Sequence, residues 1–340
     1  MPNVAHRPPL SVALSAVPEV SAAVLVGLHE VFSSVGTAWE QYTGRQTHVR
    51  SILPRIVASS MEPFRTALNI PVIADNTFED DYGPDIVIVA DLMFEHDQDI
   101  RGRWPRLTRW VKEQYERGAI VCSVCSGTFI LADAGLLDDR EATTHWSAQT
   151  LFHEFYPKVN LRAERVLVPA GPEHRIITSG GSASWNDLAL YLIARFCGQD
   201  EARRIAKLYL FGDRSDGQLP FSTMVRPKQH SDGLVANCQS WIAEHYTLAN
   251  PVERMANYSG LSSRTFIRRF KKATGYAPLD YVQTLRIEEG KQMLEAGNDA
   301  IDNIALNVGY DDPNSFRRLF KRSTGISPSE YRQRFQAVSI

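Results

Sequence analysis

A fourteen-residue block near the C-terminal end of the chain occurs twice, 50 positions apart. Ser262-Ser263-Arg264-Thr265-Phe266-Ile267-Arg268-Arg269-Phe270-Lys271-Lys272-Ala273-Thr274-Gly275, followed by Pro278 and Tyr281, returns as Asp312-Pro313-Asn314-Ser315-Phe316-Arg317-Arg318-Leu319-Phe320-Lys321-Arg322-Ser323-Thr324-Gly325, followed by Pro328 and Tyr331. Phe, Arg, Phe, Lys, Thr, Gly, Pro and Tyr recur in register. Such a repeat is one supersecondary unit used twice, so the fold of the first copy constrains that of the second. Residues 262–274 hold five basic side chains and no acid. The chain as a whole is not basic, with a formal net charge of -2 and a pI near 6.5.

Each copy reads as a short apolar helix, a tight turn and a basic helix. In the first, residues 251–258 supply the short helix, Gly260-Leu261 the turn, and Ser262 or Ser263 an N-cap. In the second, residues 302–308 and Gly309-Tyr310 play these parts, Asp312 caps, and Pro313 takes the first helical position, where a missing N–H costs nothing. Gly275 and Gly325 are expected as left-handed C-caps. At 100° per residue, Phe266 and Phe270 share an inward face, as do Phe316 and Phe320. The opposite faces carry Arg264, Arg268, Lys271 and Lys272, and Asn314, Arg318, Lys321 and Arg322, with Thr265 and Ser315 beside them. One charged helix face is ordinarily only solvated. Two copies with matching core, turn and basic face point instead to a pair of helix-turn-helix units that meet DNA in the major groove. Arg pairs bidentately with guanine and Asn with adenine, while the lysines near the helix ends suit phosphates. Ile267, at the edge of this face, meets a thymine methyl or packs.

The repeat resembles the DNA-binding domain of the AraC family of transcription regulators over residues 235–335. Ala305, Gly309-Tyr310, Phe316, Phe320, Lys321, Thr324-Gly325, Pro328 and Tyr331 carry the likeness. It implies two three-helix subdomains joined by a linking helix near residues 279–295, and recognition helices set about 34 Å apart in successive major grooves.

With 340 residues the chain is expected to form two domains. Residues 1–210 are assigned to an α/β domain, 211–231 to a linker rich in Gly, Asp, Ser, Gln and Pro, and 232–336 to an all-α DNA-binding domain. Cys122, Cys125, Cys197 and Cys238 are too few and scattered for a disulfide framework, which fits a reducing cytoplasm. The run at residues 10–17 is expected as a buried strand rather than a signal peptide. No run reaches the ~18 apolar residues of a membrane span.

In the first two hundred residues, strands are expected at 11–15, 47–53, 85–90 and 119–125. Helices are expected at 20–34, 104–117, 127–134, 146–155 and 184–196. This alternation predicts a doubly wound, flavodoxin-like, mainly parallel sheet with its ligand site at the strands' carboxyl ends. Cys125 stands where a strand enters a helix; the helix N-terminus there would lower its pKa, and Cys122 falls within the strand.

Cys125, with Glu30-Val31-Phe32, residues 133–138, His145-Trp146 and Gly180-Gly181, resembles the PfpI-type, class I glutamine-amidotransferase-like fold. Joined to an AraC-type domain, that fold makes the GlxA type of regulator. The resemblance implies that Cys125 matches the family nucleophile, with His145 near it. Three departures stand against catalysis: Val24 occupies the position of the helix-1 acid, Ala90-Asp91 replaces a Gly-Gly turn, and Ser126 follows the cysteine where proteolytic members have His. Lacking a complete set of base, orienting group and oxyanion donors, the site is expected to bind rather than react. Its lining is taken as Cys125, Ser126, Gly127, His145, Trp146, Gly180 and Gly181, with no catalytic residue, metal or cofactor.

The leading reading is thus a cytoplasmic, homodimeric transcription regulator that binds promoter DNA and a small-molecule effector, with RNA polymerase as a further partner and no membrane. GlxA-type relatives suggest amino acids or quaternary amines as effectors, and Trp146 and Trp185 could offer a cation an aromatic face. The alternatives are a cysteine-dependent hydrolase or amidase with DNA binding attached, and an architectural protein whose first domain only dimerises.

Overall fold

Runs of β-branched residues form the strands: Ile86–Val89 is continuous Ile and Val, and all four side chains are buried. Strands buried on both faces belong to parallel sheets covered by helices. The computed structural model describes residues 8–94, 99–212, 214–224 and 230–336. It divides after Gln218 into two units.

The first unit is built on a seven-stranded sheet. Its strands are β1 (Leu10–Ser15), β2 (Ile52–Ala58), β3 (Asn76–Thr77), β4 (Ile86–Val89), β5 (Ile120–Val124), β6 (Leu167–Ala170) and β7 (Ile176–Ser179). In space they run β6-β7-β5-β4-β1-β2-β3, and only the edge strand β6 is antiparallel to its neighbour. The helices are α1 (Ala22–Ser33), α2 (Ala38–Thr43), α3 (Pro105–Glu116), α4 (Thr128–Asp133), α5 (Gln149–Phe155), α6 (Trp185–Cys197) and α7 (Gln199–Leu208). This is the flavodoxin-like α/β fold.

One strand is displaced from its expected place. The segment 47–53 contributes only its end: β2 begins at Ile52 and pairs with β1 from Leu10↔Ile52 to Ser15↔Val57. Pro54 and Arg55 interrupt the apolar pattern, so periodicity alone stops too soon. The strand tolerates Pro54 because β3 pairs only with Val57 and Ala58, leaving that stretch of β2 with β1 as its partner. Helix α7, behind Gly198, lies beyond the expected helices. The expected linker 211–231 also starts too early. Arg214 bonds Asp187 at 2.8 Å, Phe211 stacks edge-on to Trp185, and Gln218 is buried, so these residues are built into the first unit. Asp213 and residues 225–229 of that segment lie outside the described residues.

The second unit is helical: α8 (Gly233–His245), α9 (Pro251–Ser259), α10 (Ser263–Thr274), α11 (Pro278–Ala296), α12 (Ile301–Asn307), α13 (Pro313–Thr324) and α14 (Pro328–Phe335). Two cores form. Val235, Cys238, Ile242, Met255, Phe266 and Phe270 build one; Ile304, Ala305, Val308, Phe316, Phe320 and Tyr331 build the other. Helix α11 serves both, giving Tyr281 and Val282 to the first and Ile287 and Leu294 to the second. No described helix is long and apolar enough to cross a membrane.

Candidate functional site

The repeated residues do the same structural work twice. Phe266, Phe270, Phe316 and Phe320 are fully buried. Phe270 meets Tyr281 edge-on at 5.4 Å between ring centres, and Phe320 meets Tyr331 at 5.3 Å. Gly275 and Gly325 end their helices at φ 82° and 79°, the left-handed region where a side chain is costly. The recurring threonine, to which the sequence assigned no role, closes the same corner. Thr274 Oγ1 lies 2.9 Å from Phe270 O and 3.3 Å from Tyr276 O; Thr324 Oγ1 lies 2.8 Å from Phe320 O and 2.9 Å from Ile326 O.

The outward faces differ. Arg264, Arg268, Lys271 and Lys272 are exposed, and their side chains make no hydrogen bond or ion pair to another described residue. Their neighbour Arg269 instead pairs with Asp232 at 2.7 Å. On the second helix Asn314, Arg318, Lys321 and Arg322 are also exposed. Here, however, Arg318 donates to Ser315 Oγ at 2.9 Å and lies 3.8 Å from Asp312. Asp312 caps the helix, accepting from the backbone N–H of Asn314 and Ser315. Thr265 and Ser315 are half-buried and engaged with the capping residues Ser262 and Asp312.

In the first unit, adjacent strands β4, β5 and β7 end at Val89, Val124 and Ser179. Just beyond these ends lie Asp91, Cys125 and Ser182. Cys125 has φ 54°, unusual for a residue with a side chain, and sits on a sharp turn between β5 and α4. The turn is tight because Gly127 lies under the first strand-end loop: a Cβ there would stand 2.5 Å from Val89 O and 2.7 Å from Ala90 O.

Asp91 is the residue that sequence reasoning missed. In the sequence it stands only as a departure from Gly-Gly, yet its carboxylate is the centre of the cluster. Ser126 Oγ donates to Asp91 Oδ1 at 2.6 Å, Ser182 Oγ donates to Oδ2, and Ser182 Oγ lies 3.9 Å from Cys125 Sγ. Both Asp91 and Cys125 are under 10% exposed. Burial, then the Asp91 charge and its hydrogen bond, raise the Cys125 thiol above its ordinary pKa. The expected lowering is therefore corrected: α4 has six residues behind a 3-10 turn, and its dipole is outweighed by desolvation and a neighbouring carboxylate.

The other expected lining residues divide. Ser126 also bonds Leu92, Gly127 underlies the turn, and Gly180 is buried; these three shape the backbone. His145, Trp146 and Gly181 are half-buried. The His145 and Trp146 rings lie 5.0 Å apart, and His145 Nδ1 accepts the Ser147 backbone N–H at 3.2 Å. Thr144 Oγ1 donates to Cys125 O at 2.8 Å, joining the His145 loop to the cysteine turn. Trp185 is separate, packed edge-on against Phe211 and above Gly27 of α1. Val24 is a buried core residue of α1. Two surface cavities of about 420 and 540 Å³ share no lining residue with this cluster.

A thiol held protonated is a poor nucleophile. Iodoacetamide near neutral pH is expected to modify Cys125 more slowly than free cysteine by on the order of tenfold or more. Half-buried Cys197, its pKa pushed up to about 11 by burial, should be labelled first. Intact-mass time courses of the native chain and Cys125→Ala should then coincide. Faster labelling that disappears in Cys125→Ala would show an activated thiol.

Residues 96–195 match the DJ-1/PfpI family and residues 255–334 match a helix-turn-helix domain family. The chain thus joins a DJ-1/PfpI-type domain to an AraC-type helix-turn-helix domain. It is 30% identical over 210 residues to the HTH-type transcriptional regulator GlxA of Rhizobium meliloti (strain 1021), across 59% of this chain and 63% of that protein. It is 27% identical over 256 residues to the HTH-type transcriptional regulator CdhR of Pseudomonas aeruginosa, across 70% of this chain and 67% of that one. The chain therefore spans a little under two thirds of the length of the first relative. Among solved structures, a ThiJ/PfpI family protein from Pseudomonas syringae aligns with a TM-score of 0.48 at 19% identity, covering 74% of this chain and 91% of that one.

Proposed function

We propose that this chain is a sequence-specific DNA-binding transcription regulator whose first unit binds a small-molecule effector. The observation that carries the reading is the pairing of two recognition helices with duplicate buried phenylalanines and exposed basic faces, the first of which keeps four cations unengaged. Unpaired cations on a helix anchored by its opposite face are arranged to meet phosphates and base edges. The names of the GlxA and CdhR relatives support the same reading. The DNA-facing set is Arg264, Thr265, Arg268, Lys271, Lys272, Asn314, Ser315, Arg318, Lys321 and Arg322, with Thr265 and Ser315 acting mainly through the caps.

In the same proposal the protein acts in the cytoplasm as a homodimer on promoter DNA, with RNA polymerase as a further partner, and the Cys125–Asp91–Ser182 cluster with His145 and Trp146 receives the effector. Val24 in place of an acid and a protonated Cys125 support binding over turnover. A hydrolase reading draws on one observation, the left-handed Cys125 turn, which is the shape of a nucleophile elbow. The labelling experiment separates the two.

Selection of the full chain against a random duplex library tests the main reading. Enrichment of two short half-sites with centres about one helical turn apart is expected. Failure to enrich any sequence over the starting pool would refute it.

A further inference from the structure

We propose that Gln218 couples the Cys125 site to the helix-turn-helix unit. Composition placed this residue in a spacer, but it is 4% exposed. Its Nε2 lies 2.9 Å from the carbonyl oxygens of Thr144, Ala163 and Arg165 and 3.2 Å from Thr143 Oγ1. Its Oε1 accepts the Gly181 backbone N–H at 2.8 Å, and its own N–H donates to Glu164 O at 2.9 Å. Two amide hydrogens serve four acceptors, so the carboxamide is held from every side. The fit also needs Gly180: a Cβ there would stand 2.3 Å from Gln218 Nε2.

The loops that Gln218 grips are those of the candidate site. Thr143 and Thr144 lead directly into His145, and Thr144 bonds the Cys125 carbonyl. Gly181 packs against the His145 ring, where a Cβ would lie 3.1 Å from Cδ2, and precedes Ser182, which bonds Asp91. Anything seated among Cys125, Asp91, Ser182 and His145 pushes on segments whose other side is bonded to Gln218.

On the far side the chain continues directly into the second unit. Gln218 closes the first unit and Leu219 opens the second. Pro220 is buried, and Ser222 O accepts from Lys291 of α11. A displacement of Gln218 is therefore delivered by the covalent chain to the segment packed on α11, the helix both DNA-reading cores share. Gln218 is a positioning residue: it touches no ligand and acts by holding two loops and one chain end in fixed relation.

The inference rests on the proposed DNA-binding reading, and its test separates the two. The probe is Ser182→Trp, which puts a bulky side chain over Asp91 in place of a bound molecule. Specific-duplex affinity is measured on the full chain by fluorescence anisotropy. It is measured with and without Ser182→Trp in three backgrounds: native, Gln218→Met, and a chain with four Gly/Ser residues inserted between Gln218 and Leu219. Gln218→Met keeps volume but loses the hydrogen bonds; the insertion keeps the bonds but frees the connection, and so remains informative should Gln218→Met misfold. Expected is a change of at least about fivefold from Ser182→Trp in the native chain, reduced below twofold in both altered backgrounds. Amide exchange at Gly181 should also quicken in Gln218→Met and stay unchanged in the insertion chain. No affinity change from Ser182→Trp in the native chain, or an equal change after the insertion, overturns the coupling while leaving DNA binding standing. A native chain that selects no duplex overturns both.

Discussion

Phe320→Ala is expected to destabilise the second helix-turn-helix subdomain by about 3 to 5 kcal/mol, the usual cost of emptying a fully buried phenylalanine site. Phe320 is 0% exposed and is enclosed by Phe316 at 5.5 Å and Tyr331 at 5.3 Å between ring centres. Tyr331 in turn packs tilted against Phe335 at 4.6 Å between ring centres and donates to Glu295 of α11 at 2.7 Å. Removing the ring leaves Phe316 and Tyr331 without their common neighbour and opens a cavity at the centre of the second small core. Whole domains are stable by only ~5 to 15 kcal/mol, so the loss should appear as a separate low-temperature transition in the full chain. Phe270→Ala should do the same to the first subdomain. A melting profile indistinguishable from the native one, with near-ultraviolet circular dichroism preserved, would mean that the inward face is wrongly assigned.

Arg268→Ala is expected to weaken binding to the selected duplex by about 1 to 3 kcal/mol, roughly 5- to 150-fold, with little change on random DNA. Arg268 is exposed and unengaged in the middle of α10, whereas its counterpart Arg318 is held by Ser315 Oγ and lies near the Asp312 carboxylate. To reach a base edge, Arg318 must exchange those contacts for new ones, so the net loss in Arg318→Ala should be the smaller. Lys271→Ala should instead lower affinity for all duplexes alike and flatten the salt dependence, as expected for a phosphate contact. Anisotropy titrations on specific and scrambled duplexes at two salt concentrations measure all three. Equal losses on both duplexes for Arg268→Ala would remove it from base reading.

The helix-turn-helix unit was legible in the sequence because its determinants are local. Caps, turns and facing phenylalanines lie within a few residues of one another, and the repeat supplied an internal check. Three features were not legible, each for a different reason. β2 was misplaced because Pro54 and Arg55 break a pattern that pairing with β1 restores. Asp91 looked like a defect in one loop because its partners Ser126 and Ser182 lie 35 and 91 residues away. Gln218 sat in a stretch whose composition signals a spacer, and nothing local reveals that five of its bonds reach back 37 to 75 residues. The Cys125 thiol fails in the opposite sense: the helix start was visible, but the burial that outweighs it was not.

Helix α11 is shared by both small cores. Its 19 residues, about 28 Å at 1.5 Å per residue, insert side chains into both small cores, so it acts as a ruler between the two reading helices and not as a tether. A ruler cannot adjust to the duplex. On the proposed DNA-binding reading, where groove spacing and protein spacing disagree the duplex would yield, and the work of bending it would fall on the base steps between the half-sites. Flexible pyrimidine–purine steps yield more readily than stiff A-tracts, so a chain that binds DNA in the proposed way would discriminate among sequences at positions that none of its side chains touch.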